Sequence, residues 1–125
     1  MSDLDEYQQG IDTEFQAMKT AFAKEVQQHK AEVADYDPDA HAGRLERIKT
    51  AYLTLVVSVQ NANARQMCNP LPGISADEAN KRSQAATERA KKDFLAALLT
   101  LRRDLHPSDA RLFFKIDQQI AALSP

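Results

Sequence analysis

The chain has 125 residues, 43% of them hydrophobic and 27% charged, with a formal net charge of -2. That composition suits one soluble domain around a single core; it excludes a disordered chain and any general attraction to nucleic acid or to a membrane surface. With one cysteine (Cys68), no secretory pattern in MSDLDEYQQG, and a longest apolar run (AYLTLVVSV) of about half a membrane span, a cytoplasmic protein is expected.

Apolar residues recur at helical spacing along almost the whole chain. The first stripe comprises Leu4, Tyr7, Ile11, Phe15, Met18, Phe22, Val26 and Val33, with His29 in the remaining gap. Ser2 is placed to cap this helix, and Gly10 weakens it without ending it. The second helix carries Leu45, Ile48, Tyr52, Leu55, Val56 and Val59 and fades near Met67, before the helix-breaking CNPLPG. SADE then offers a capping box, Ser75 with Glu78, for a third helix running through Phe94, Leu95, Leu98, Leu99, Leu101 and Leu105. HPSD ends it, and Ser108 is the expected cap of a shorter fourth helix with Leu112, Phe113, Ile116, Ile120 and Leu123. Short connections make successive helices antiparallel. The expected fold is all-α: one domain over residues 1–125, an up-and-down bundle of three long helices and a shorter fourth.

One connection carries an acidic pattern. DYDPDAHAGRLE, Asp35 to Glu46, has the carboxylate spacing of an EF-hand calcium loop at Asp35, Asp37, Asp39 and Glu46. It lacks the glycine required at the sixth position, where Ala40 stands, and Pro38 stiffens the part that would wrap the ion. Helix entry explains the same residues: Asp37 caps, Pro38 takes the first helical position, and Asp39 lies in the first turn. His41 and His106 are expected near this end, so a metal- or small-ligand-binding bundle built on this loop is the alternative functional class.

No other pattern points to a reaction. Cys68 has no neighbouring base, the chain has no glycine-rich phosphate loop, and the basic pairs Lys81-Arg82, Lys91-Lys92 and Arg102-Arg103 lie among acids. No cofactor and no enzymatic activity are expected.

More informative is an asymmetry of size. The third helix is rich in leucine at the end near the acidic loop. At the other end its stripe is Ala79, Ser83, Ala86 and Ala90, and the short fourth helix does not reach that far. Either the small residues let the helices close up, or they floor a groove walled by Tyr7 and Ile11 on one side and Met67 on the other, with Asp12 and Glu14 on its rim. Residues 1–18 hold Asp3, Asp5, Glu6, Asp12 and Glu14 with no lysine or arginine, and dipole compensation accounts only for the first three. Phe114 lies about 100° from Phe113 around the fourth helix, off its apolar stripe, and is expected to be partly exposed and to join a contact surface. The functional expectation is a non-catalytic protein-interaction module, of the adaptor, secretion-chaperone or toxin-neutralising immunity kind. Its partner is another protein, basic in character, or a second copy of the chain.

Overall fold

A computed structural model describes residues 2–31, 38–103 and 109–123. Four helices follow in order: α1 (Asp3–Ala31), α2 (Pro38–Cys68), α3 (Ala76–Arg103) and α4 (Ala110–Leu123). Their starts have the expected chemistry. Asp5 N–H donates to the Ser2 hydroxyl at 3.1 Å, and Glu78 N–H to the Ser75 hydroxyl at 3.1 Å. α2 opens on Pro38. At the start of α4, Leu112 N–H donates to the Asp109 carboxylate at 3.3 Å; Ser108, the expected cap, lies outside the described residues.

Contacts between the helices fix their directions. α1 and α2 run antiparallel, tied near one end by Arg47 Nε donating to Glu25 at 2.7 Å. α2 and α3 are antiparallel across Asn63–Asn80 and Tyr52–Phe94. α1 and α3 therefore run side by side in the same direction, with Phe22 against Phe94 and Gln8 against Arg82. α4 folds back along α3, where Arg102 Nε donates to Asp117 at 2.7 Å. α4 packs on α3 and α2, and among the described residues it has no contact with α1.

Phe94 sits at the middle of the core, 1% exposed. Its ring stacks on Tyr52 with centroids 4.5 Å apart and tilts against Phe22 at 6.2 Å. Beyond it, toward α4, Leu98, Leu101, Leu45, Ile48, Leu112 and Ile116 are buried. In the other direction α3 buries only Ala90, Ala86, Ser83 and Ala79. Ala79 and Ala90 are completely covered, so the small residues serve close helix packing. Ala79 and Ala90 therefore floor no open groove; of the three alanines only Ala86 borders a surface cleft.

The structure corrects three further positions. Glu25, not Val26, takes the buried place on α1, because the buried row Ile11, Phe15, Met18, Phe22 continues by three residues rather than four. On α2, Gln66 turns inward and Met67 is left exposed. The Gln66 amide grips the following turn: Nε2 donates to the Ile74 carbonyl and Oε1 accepts from Leu71 N–H. Leu99, expected in the leucine-rich face, is half exposed. The α2–α3 turn closes on the start of α1 at Gly73, whose N–H donates to the Asp3 carboxylate at 3.2 Å; a β-carbon there would come within 3.1 Å of Asp3.

Ala90→Leu forces extra volume between α3 and its neighbours. It is expected to lower stability by about 1–3 kcal/mol, whereas Ala85→Leu, on the exposed side of α3, stays within about 0.5 kcal/mol of the parent. Denaturant midpoints of the two variants check this; equal midpoints would contradict close packing at Ala90.

Candidate functional site: the open flanks of α1

Because α4 never reaches α1, both seams of α1 stay uncovered at the small-residue end. The α1–α3 seam forms a shallow cleft of about 330 Å³ between Gln8, Ile11, Asp12 and Phe15 on one side and Glu78, Arg82, Ala86 and Arg89 on the other. Four of its polar side chains, Gln8, Asp12, Glu78 and Arg82, are engaged with one another. Gln8 Nε2 donates to Asp12 at 2.9 Å, Arg82 Nη1 donates to Gln8 Oε1 at 2.8 Å, and Arg82 Nε donates to Glu78 at 2.9 Å. The Arg89 guanidinium lies over the Phe15 ring, 4.1 Å from its centroid, in a cation–π contact that roofs the apolar floor.

The α1–α2 seam is different. Its cleft, of about 390 Å³, is lined by Glu6, Tyr7, Gly10, Ile11 and Glu14 on α1 and by Ser58, Val59, Asn61, Ala62 and Arg65 on α2. It continues past Tyr7 and Ala62 into a second depression bounded by Gln66, Cys68, Asn69 and Leu71. Glu6 and Glu14 make no ion pair among the described residues. Arg65 is the one basic residue on the cleft wall, and it is exposed.

Two features of this cleft are unfavourable for the chain alone. The Tyr7 hydroxyl is buried without a hydrogen-bond partner, and burial raises the phenol pKa above its ordinary value. Gly10 stands in the middle of α1, where glycine costs about 1 kcal/mol relative to alanine. Nothing lies within 4 Å of where its β-carbon would be, so no packing demand within the chain requires glycine there.

The residues singled out from sequence are distributed as follows. Tyr7, Ile11 and Glu14 line the α1–α2 cleft. Ile11 is only 6% exposed, so it forms floor rather than wall. Asp12 faces the α1–α3 seam and is held by Gln8, so the second rim carboxylate of the α1–α2 cleft is Glu6. Met67 lines neither cleft; Arg65 and Leu71 stand where it was expected. Ala79 is enclosed and offers no surface, while Ala86 is 6% exposed at the floor of the α1–α3 cleft. Phe114 points away from the bundle, 63% exposed. From the sequence Gly10 reads only as a weak point of the first helix, and Arg65 is passed over; a glycine inside a strong helical pattern is the available signal.

The acidic connection is not arranged as a calcium loop over the part described. Residues 38–46, its fourth to twelfth positions, are the first turns of α2, with Asp39 and Glu46 exposed on that helix. Asp35, Asp37 and His106, and the side chain of His41, lie outside the described residues. Among the described residues no group of three or more His, Cys, Asp or Glu side chains is placed to hold a metal ion, and no helix is long and apolar enough to cross a membrane.

Gly10→Ala is expected to raise stability by about 0.5–1 kcal/mol, since the methyl group meets open space and the helix gains the propensity difference. A destabilised variant would show that α2 lies closer than the structure places it. The tyrosines give a pH test. Tyr7 and Tyr52 both have phenol pKa values raised above 10.0, chiefly by burial and for Tyr52 also by the charge of Glu88. The unfolded phenols ionise first, so these groups leave stability unchanged below pH 10 and lower it above. Denaturation midpoints followed upward through pH 10 are expected to fall less steeply in Tyr7→Phe than in the parent; equal slopes would contradict a buried Tyr7 hydroxyl. Compared with known protein families, with curated proteins and with solved structures, the chain matches none.

Proposed function

We propose that this chain is a non-catalytic protein-interaction module that receives its partner on the α1–α2 cleft at the small-residue end of the bundle. The observation that carries this is the contrast between the two flanks of α1. On the α3 side Gln8, Asp12, Glu78 and Arg82 satisfy one another and an arginine lies over the Phe15 ring. On the α2 side two carboxylates stand without ion pairs among the described residues, a tyrosine hydroxyl has no partner, and a mid-helix glycine opens onto empty space. Glycine in a helix interior favours close approach of another chain to the backbone.

Such a module suits an adaptor, a secretion chaperone or a toxin-neutralising immunity protein, acting in a reducing, cytoplasmic setting where the exposed Cys68 thiol stays free. Phe114, Leu53 and Val57 are exposed on other faces and provide a separate route to self-association.

The test is capture from source-cell extract on immobilised parent chain, Gly10→Leu and Phe114→Ser, read by mass spectrometry. A protein retained by the parent and by Phe114→Ser, but lost with a folded Gly10→Leu, is the expected result. A partner that ignores Gly10→Leu and depends on Phe114 would place docking on α4 instead.

A further inference from the structure

We infer that the occupant of the α1–α2 cleft is an amphipathic helix bearing basic residues on both sides of one bulky apolar residue. The inference rests on the docking role proposed above and adds the chemistry of the partner. It follows from a row on α1. Glu6, Gly10 and Glu14 are spaced i, i+4, i+8, which places them along one ridge of the helix, about 12 Å from first to last at 1.5 Å per residue. The row reads acid, gap, acid. Its complement is base, bulky apolar, base, at the same i, i+4, i+8 spacing on a helix laid against it. The central side chain fills the space above Gly10, and each flanking lysine or arginine meets a carboxylate. Because the pattern is symmetric about its centre, it fits in either chain direction.

The surrounding charges give the same sign. Residues 2–18 contain five acids and no lysine or arginine, so the approach to the cleft from the α1 side is negative. Arg65, on the α2 wall, repels a basic helix and biases its charges toward α1. A helical partner also suits the width of a seam between two helices, where a fitted row of contacts supplies the affinity.

The experiment uses the full chain and two synthetic alanine-based helical peptides, one with a Lys-x-x-x-Leu-x-x-x-Lys row and one with glutamates in place of the lysines. Binding is followed by fluorescence anisotropy. The lysine peptide is expected to bind, more weakly as salt rises, and the glutamate peptide not to bind. The double variant Glu6→Lys, Glu14→Lys weakens the lysine peptide about tenfold, the product of two exposed ion pairs each worth a factor of about three, and gains the glutamate peptide. Arg65→Gln tightens the lysine peptide by about two- to threefold, and Gly10→Leu removes its binding. Equal binding of the two peptides, or none by the lysine peptide, overturns the inference. The docking role is judged separately: a cellular partner lost with Gly10→Leu but not displaced by the lysine peptide refutes only the basic helix, whereas a partner indifferent to Gly10→Leu refutes the cleft itself.

Discussion

The packing around Phe94 sets the shape of the molecule. One ring on α3 meets Tyr52 of α2 and Phe22 of α1, so the three long helices are held at a common point. On either side of that point α3 presents side chains of very different size. Toward Arg103 it buries Leu98 and Leu101, and α4 packs over this end against α3 and α2. Toward Ala76 it presents alanine and serine, and the helices close up without a fourth element. The taper of α3 therefore explains both the presence of α4 at one end and its absence from α1. The open flanks of α1 are a consequence of that taper, not a separate feature.

The two flanks acquire different characters from a few polar residues. Gln8 can donate and accept, and it uses both capacities to join Asp12 to Arg82 across the α1–α3 seam. Among the described residues lining the α1–α2 cleft, none plays that part. The nearest equivalent is at the opposite end, where Arg47 reaches the buried Glu25 carboxylate and lies over Gly43, whose missing side chain leaves room for the guanidinium. That contact raises the Arg47 pKa, through the hydrogen bond to Glu25 first. Among the described residues α1 and α2 are thus joined by an ion pair at one end and by none at the other, where Glu6 and Glu14 stand.

Much of this was legible in the sequence because it is local. Ser2, Pro38 and Ser75 mark helix starts by their own hydrogen-bonding or dihedral chemistry, and the exposure of Phe114 follows from its angle to Phe113. Glu25 and Gln66 were missed because a polar residue on a core row looks like a break in it; only a partner on another helix, Arg47 for one and the α2–α3 turn for the other, shows that the place is buried. The alanines of α3 were open to two interpretations for a related reason. A small side chain permits close approach but does not reveal whether the neighbour comes from the same chain. Gly10 carries the same ambiguity; the empty space beside it shows only that no described residue of this chain takes that place.

The central claim is that the uncovered α1–α2 seam, rather than α4 or the bridged α1–α3 seam, is the working face of this bundle. Amide chemical-shift mapping of the labelled chain during titration with the lysine-row peptide tests it residue by residue. The largest shifts are expected at residues 6–14 and 58–65, with α4 unmoved. Shifts concentrated around Phe114, or along Glu78 to Arg89 on the α3 flank, would contradict the account.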